Sequence, residues 1–351
     1  LSIGKQSLKD LNAFLNKNHF TKIGIIVDEN SKKFCLLIIH SKLPKHHLII
    51  IPSGEYHKNL STCKNIWQQL TNLHFDRRSL IINLGGGVIG DMGGFCASTF
   101  KRGIAFIQVP TTLLAQVDAS IGGKVGIDFQ NYKNHIGLFK DPKAVFIYPG
   151  FLKTLDKKEK LSGFAEIIKH CLIADRQKWN AISQKGLEDQ DWENLIAHSI
   201  DVKLSIIKKD PEEKGLRKVL NFGHTIGHAL ETFYLNDNVP NAPSVRNVPR
   251  LRHGEAIAIG IVCESFISHQ RGMVSKDELN SITNYIISIF GKKEIDKADL
   301  ENIILITLQD KKNENDKINC TLLKEIGKAS FDNVTSKEEI MESLIYYKKN
   351  N

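Results

Sequence analysis

Residues 22–27 (KIGIIV), 47–51 (HLIII), 80–84 (LIINL), 104–109 (IAFIQV) and 144–148 (AVFIY) are short apolar runs rich in β-branched side chains. Each stops at a turn signal, and amphipathic stretches such as 62–73 lie between several of them. Continuous apolar strands alternating with helices predict a parallel sheet covered on both faces, because a strand buried on both sides needs no polar alternation. The first 150 residues therefore read as an α/β domain of the kind that holds nucleotides. Beyond Pro149 the period changes. Ile196, Ile200, Leu204 and Ile207 recur at helical spacing, as do apolar positions through 255–267 and 279–289. Only 318–323 reads as a strand there. The pattern predicts an α/β domain over 1–150 followed by an all-helical domain over 151–351, with their junction as the natural place for a site. Residues 236–252, with Pro240, Pro243 and Pro249, read as a long loop.

Composition narrows this picture without redirecting it. A length of 351 residues suits about two domains. At 41% hydrophobic and 25% charged, the chain is neither disordered nor fibrous. No apolar run approaches the roughly 20 residues of a membrane-spanning helix. The chain opens on Leu1, so a native start upstream is expected, and no basic segment followed by an apolar stretch suggests export. Cysteines at 35, 63, 96, 171, 263 and 320 form no C-x-x-C pair. That spread fits neither a zinc ribbon nor a disulfide framework, and suits thiols in a reducing cytoplasm. Lys and Arg outnumber Asp and Glu by 48 to 39, which favours anionic partners. The basic residues are scattered and make no nucleic-acid recognition motif.

Leu80 to Asp91 runs a strand into Gly85, Gly86 and Gly87 and then into a helix. Glycine admits close approach of an anion, and the N–H groups of a helix start point at it. The alternative is a tight strand-to-helix turn with no ligand. Thr111 and Thr112 follow the next strand, where ligands of open α/β sheets collect, either as hydroxyl donors or as helix caps. Asp118, Gly122, Gly123, Lys124, Lys133 and Asn134 combine flexible backbone, positive charge and orienting polar groups within seventeen residues. That is the make-up of an anion-binding loop.

In the helical half, His224 and His228 stand at i and i+4 on one face. His253 sits at the mouth of an apolar helix, and Glu166 shares a face with Lys169 and His170. One carboxylate and two imidazoles make the ligand set of a catalytic zinc. An isolated H-x-x-x-H is more often an ordinary pair, but the glycines flanking both histidine segments favour the metal. On spacing alone His228 would be a ligand. Lys203, Arg217, Lys311 and Lys312 each read alone as solvated surface, although Lys203 borders the apolar face through Ile200 and Leu204.

Taken in order, these segments resemble the 3-dehydroquinate synthase family, which cyclises a seven-carbon phosphorylated keto acid. The resemblance runs through 53–58, 85–91, 101–103, 110–112, 116–124, 133–134, 152–155, 162–169, 216–228, 253–260 and 310–312, and it is specific as an ordered set. It implies a Rossmann-like domain that holds NAD, joined to a helical metal-binding domain. By position, Glu166, His224 and His253 would hold Zn2+ or Co2+. Asp28, Glu55, Lys58, Gly86, Gly87, Val88, Ile89, Gly90, Asp91, Thr111, Thr112, Lys124, Lys133, Phe151, Leu152, Lys153 and Thr154 would line the NAD site. Asp118, Lys124, Asn134, Lys169, Lys203, Arg217, Asn221, His228 and one of Lys311 or Lys312 would surround the substrate, which moves His228 from ligand to substrate contact. Arg102 would reach in from a neighbouring subunit, implying a homodimer.

The implied chemistry is coherent. Zinc lowers the pKa of a secondary alcohol and NAD+ takes its hydride; the new ketone acidifies the neighbouring C–H and phosphate leaves by β-elimination. Hydride then returns and an intramolecular aldol reaction closes the carbocycle. Lysines and Arg217 suit a substrate bearing both phosphate and carboxylate. Competing readings are another sugar-phosphate cyclase, or a metal-dependent polyol dehydrogenase, which releases NADH and needs no such set of cations. A basic nucleotide- or nucleic-acid-binding protein would hold no tight metal and would lose affinity steeply with salt.

Overall fold

Ile23–Val27 and Leu80–Gly85 are buried at every position, as parallel strands covered on both faces should be. The computed structural model that shows this describes residues 1–130, 132–235, 251–308 and 318–350. The two strands are the inner pair of a parallel sheet ordered His47–Ile50, Ile23–Val27, Leu80–Gly85, Ala105–Pro110. Ile23 pairs with Leu80, and Leu80 with Ala105. Side chains alternate between two cores: Ile26 and Ile81 pack with Ile66, Met92 and Phe95, whereas Ile25 and Ile82 pack with Leu11, Ile107 and Phe151. The fifth predicted run, 144–148, touches the sheet through one parallel bridge from Val145 to Gln108. Its two-residue strand Phe146–Ile147 pairs instead with Ser2–Ile3, and Pro149, which carries no N–H, follows after Tyr148.

The chain visits the His47–Ile50 edge before returning to the other side of its first strand. The order therefore reverses between Ile23–Val27 and Leu80–Gly85, and the crevice beyond their carboxyl ends is where such sheets take ligands. The predicted helix at 62–73 spans Leu60–Asn72, started by Asn59, whose Oδ1 accepts the Thr62 N–H at 3.0 Å.

The segment read as an anion-binding loop is mostly strand. Lys124–Phe129 and Tyr132–Phe139 form an antiparallel hairpin, with Val125 and Ile127 buried in the core and Lys124 exposed. Three apolar positions among glycines and charges are too few to announce a strand, but two on alternate positions are enough to pin one face.

The described residues group into two compact units, Leu1–Gly163 with Trp192–Ile200, and Phe164–Asp191 with Asp201 onward. In the second unit the helix His253–Gln270 is buried nearly all round, as a central helix must be. It packs against His224–Leu235, Lys276–Phe290, Lys337–Lys349 and the strand Ile318–Glu325. That strand corresponds to the one expected at 318–323, but it has a partner, Lys328–Thr335, after a turn at Gly327 with φ +94°. The unit is thus helical plus one hairpin rather than all helix; the second strand is largely polar and half-exposed, so no apolar run revealed it. The predicted loop at 236–252 lies, up to residue 250, outside the described residues, as do Lys311 and Lys312. No described helix is long and apolar enough to cross a membrane.

Candidate active site

In the first unit, Leu80–Gly85 passes through Gly86 directly into the helix Gly87–Thr99. The helix starts at the strand's carboxyl end, where its first N–H groups lack intrahelical acceptors. Gly86 is fixed by packing, since a Cβ there would stand 3.0 Å from the Thr112 methyl. Gly87 is not. Its Cβ would meet only Ala119, at an ordinary 3.5 Å, so the fold itself gives no reason for glycine. Space kept open at a helix start fits the pyrophosphate of a dinucleotide. Gly90, Val88 and Ile89 continue that first turn, with Ile89 buried.

Lys58 is almost wholly buried and gathers the polar groups around this turn. Its Nζ donates to Asp91 Oδ2 at 2.7 Å and to Asn134 Oδ1 at 2.5 Å, with Glu55 at 3.8 Å. Burial alone would lower its pKa, but Asp91 and Glu55 outweigh that and raise it. Asn134 holds a left-handed φ of +51°, and its N–H donates to Asp128 at 2.8 Å. Asp128 was not anticipated. Burial raises its carboxyl pKa against the Asn134 hydrogen bond, which lowers it.

Other expected nucleotide contacts have visible structural work. Asp28 accepts the Ser31 N–H at 2.6 Å as a helix cap, and Thr112 Oγ1 accepts the Ala115 N–H at 3.2 Å. The side chains of Phe151 and Leu152 are in the interior, while Lys153, Thr154, Lys124 and Lys133 are exposed. Thr111 is buried and Asp118 half-buried. Lys101 and Arg102 are successive left-handed residues, φ +49° and +67°, on an exposed turn. Such backbone costs about 1–3 kcal/mol per residue and concentrates at functional positions.

In the second unit, Glu166 lies on Lys157–Ala174, His224 opens His224–Leu235 and His253 opens His253–Gln270. The two histidine helices cross closely because their contacts are glycines. A Cβ on Gly260 would fall 1.9 Å from the Gly223 carbonyl oxygen. Glycines flanking the histidines therefore serve helix crossing, and the crossing brings the imidazoles together. Glu166 Oε1 stands 3.3 Å from His253 Nε2 and 3.5 Å from His224 Nε2. Each other ring nitrogen is held from behind: His224 Nδ1 lies 3.0 Å from the Phe222 carbonyl and His253 Nδ1 3.3 Å from Glu231. Both acceptors call for an Nδ1–H, which leaves each Nε2 to face the carboxylate.

A carboxylate oxygen and two imidazole nitrogens converging on one point make a set that, with its protons released, can hold a cation. Ligand bonds of about 2.0–2.1 Å in tetrahedral array place donor atoms about 3.3 Å apart, close to the spacing here. Burial alone would lower the His253 pKa, but hydrogen bonds to Glu166 and Glu231 push it up to about 10. Burial would raise Glu166, yet the Lys169 ammonium and both imidazoles hold it well below the usual carboxylate range. The donor set thus fits a divalent ion. His228 is not part of this trio. Its ring is 5.0 Å from that of His224, and with Glu231 and His253 it makes a second group of three possible ligands among the described residues.

Lys169, Lys203 and Arg217 are each at most 6% exposed. Three buried cations in one unit are uncommon unless anions answer them. Lys169 pairs with Glu166. Arg217 is presented by a loop wound on Asp210, whose carboxylate accepts N–H groups of Lys214, Gly215 and Arg217 at 2.7–3.0 Å. Asn221 Nδ2 donates to Glu213 Oε1 at 3.2 Å. Asp210, Glu213 and Glu231 escaped the sequence reading, although Glu231 shares a helical face with His224 and His228.

A parallel sheet followed by a largely helical unit is a fold that solved sugar-phosphate cyclases and iron-containing alcohol dehydrogenases also show. A crystal structure of 2-deoxy-scyllo-inosose synthase complexed with carbaglucose-6-phosphate, NAD+ and Co2+ superposes with a TM-score of 0.84 at 24% identity, covering 100% of this chain and 96% of that one. The NADH-dependent butanol dehydrogenase A of Thermotoga maritima gives 0.67 at 14% identity, covering 98% and 95%. Within that fold, residues 48–162 match the family model for the 3-dehydroquinate synthase N-terminal region and 163–313 that for its C-terminal region. A 3-dehydroquinate synthase of Parabacteroides distasonis is 38% identical over 352 aligned residues, 99% of this chain and 97% of that protein. The chain belongs to the 3-dehydroquinate synthase family of NAD- and metal-dependent cyclases.

Proposed function

We propose that this enzyme converts 3-deoxy-D-arabino-heptulosonate 7-phosphate into 3-dehydroquinate and inorganic phosphate, the shikimate-route step that precedes aromatic amino acids. One observation carries the choice: the second unit combines the Glu166, His224 and His253 trio with the buried cations Lys169, Lys203 and Arg217. A polyol dehydrogenase handles a small uncharged substrate and has no use for those cations; a phosphorylated keto acid carries an anion at each end.

Glu166, His224 and His253 would hold Zn2+ or Co2+, and the turn through Gly86, Gly87 and Asp91 with Lys58 would hold NAD. When bound, the metal supplies Lewis acidity at a substrate hydroxyl and NAD supplies a hydride site. Lys203 and Arg217 then neutralise substrate anions, and their burial lets each charge act through little intervening water. Asp210 fixes the Arg217 backbone, and Glu213 orients the Asn221 amide as a polar contact. Lys169 keeps Glu166 ionised, and the two imidazoles would give up their Nε2 protons to a bound ion. Asp118, Lys124, Asn134, His228 and one of Lys311 or Lys312 complete the substrate set in this reading. Arg102 would enter from the second copy of a homodimer, and the six buried, unbonded thiols favour a reducing compartment.

The net reaction is redox-neutral, which makes the test sharp. Purified protein given the phosphorylated keto acid, NAD+ and Zn2+ should release phosphate with no net absorbance change at the NADH wavelength. Chelation should stop it, and Zn2+ or Co2+ should restore it. Stoichiometric NADH would establish a dehydrogenase instead, and phosphate release only from a different sugar phosphate would establish another cyclase.

A further inference from the structure

The helix that delivers His224 has no cap of its own. The residue before it, Gly223, carries no side chain and sits at φ +78°, and a Cβ there would lie 2.6 Å from Ile261 Cγ1. None of the usual capping side chains fits this position. The first N–H groups of the His224–Leu235 helix therefore need an acceptor from elsewhere. They find one in Glu264. Its side chain is fully buried, one turn beyond Gly260 on the central helix. Glu264 Oε2 accepts the Gly223 N–H at 2.6 Å and Oε1 the Thr225 N–H at 3.2 Å.

A buried carboxylate is costly unless charge-assisted hydrogen bonds answer it, and a helix N-terminus is a favourable place for one. The two bonds straddle His224, so the carboxylate fixes the ligand's backbone on both sides. The Phe222 carbonyl behind His224 Nδ1 belongs to the same turn. Glu264 and His253 also share one helix, so a single element carries one candidate ligand and clamps the backbone of the other.

We infer that Glu264 is a positioning residue for the metal centre: by capping the His224 helix from the neighbouring helix, it sets His224 against Glu166 and His253 before any metal arrives. Glu264 is fully buried and acts through the backbone of His224. This inference rests on the reading of Glu166, His224 and His253 as ligands, so the experiment includes a control for that reading.

Metal-free wild type, Glu264→Gln, Glu264→Leu and Glu166→Gln are titrated with Zn2+ against a chromophoric chelator, and with Co2+ for its visible absorption, well below each melting temperature. Loss of partners that orient a ligand typically weakens metal binding 10- to 100-fold. Glu264→Gln, which keeps one acceptor oxygen, should lose about tenfold and Glu264→Leu more, with an altered Co2+ spectrum. A purely structural role would lower the melting temperature and leave the Zn2+ Kd within twofold of wild type, which overturns the inference. Failure of wild type to bind metal more tightly than Glu166→Gln would instead overturn the reading of the centre, and the inference with it. Should the variants not fold, amide exchange in metal-free wild type decides. Gly223 and Thr225 should be protected as strongly as the surrounding core; protection that appears only when Zn2+ is added would show that the metal, not Glu264, orders the turn.

Discussion

Gly260→Ala puts the helix crossing to a direct test. The new Cβ would lie 1.9 Å from the Gly223 oxygen, 2.8 Å from the Gly227 nitrogen and 2.9 Å from the Gly223 carbonyl carbon. All three are backbone atoms, so no rotamer change relieves the clash. An ordinary C···O contact begins near about 3.3 Å, so the His224 and His253 helices would have to part by roughly 1.4 Å. Overpacking of this kind costs about 1–3 kcal/mol, and a rigid backbone neighbour places it at about 3 kcal/mol. Metal ligands tolerate only about 0.2 Å of error. A parting of this size should weaken Zn2+ binding by at least about a hundredfold. Urea unfolding of the metal-free chain reads the first effect and chelator competition the second. Gly272, just past the end of the same helix, is the control: nothing lies within 4 Å of its Cβ, and only its φ of +70° opposes alanine. Gly272→Ala should cost about 1 kcal/mol and leave Zn2+ affinity alone. Wild-type Zn2+ affinity in Gly260→Ala would refute the claim that this crossing sets the ligand geometry.

His224→Ala should abolish turnover and Zn2+ binding while leaving NAD+ affinity, read by calorimetry, near wild type; lost NAD+ binding with metal retained would contradict the assignment. Glu231→Leu should weaken Zn2+ binding 10- to 100-fold, whereas Glu231→Gln, which still accepts the His253 Nδ1–H, should lose far less. Gly87→Leu should fold normally, because only Ala119 faces its Cβ, yet raise the NAD+ Kd at least tenfold; unchanged Kd would remove Gly87 from the cradle. Arg271 donates to Glu339 through Nε and Nη2 at 2.8 and 2.9 Å, and this holds the Glu339 carboxyl below its ordinary range. A depressed folded pKa means the stabilisation is present above about pH 4.3 and fades as pH falls through the lower folded value. Glu339→Gln should therefore cost about 1 kcal/mol near pH 7, discounted for its partial exposure, and almost nothing near pH 2, by denaturant unfolding at both pH values.

The central strands were legible because burial on both faces forces runs such as IGIIV and LIINLG, which few other structures need. The hairpins were legible only at 318–323. Lys124–Phe129 buries only Val125, Gly126 and Ile127, and Lys328–Thr335 is polar over most of its length, so neither produces a run. The site divides along the same line. The histidine segments could be proposed because imidazoles beside glycines form a pattern, but that pattern offered His228, one turn along the same helix, as a ligand, and the set Glu166, His224 and His253 came from the family resemblance. What separates His253 from His228 is the crossing at Gly260, a contact between positions 37 residues apart in the chain when counted from Gly223.

Carboxylates that act through other residues were the harder class. Asp128, Asp210, Glu231 and Glu264 each accept hydrogen bonds that fix a neighbour, and a lone acid has no spacing rule of its own. Glu264 nevertheless left a trace: it is the one acid between Ala256 and Ser268, a stretch otherwise without charge. An acid inside such a helix pays heavily in desolvation unless the fold supplies donors, and a helix start is the densest supply of unbonded N–H groups a protein has. The capless turn at Gly223 and the stranded charge at Glu264 are therefore one problem seen from two helices, and each solves the other only at the separation that also brings His224 to Glu166.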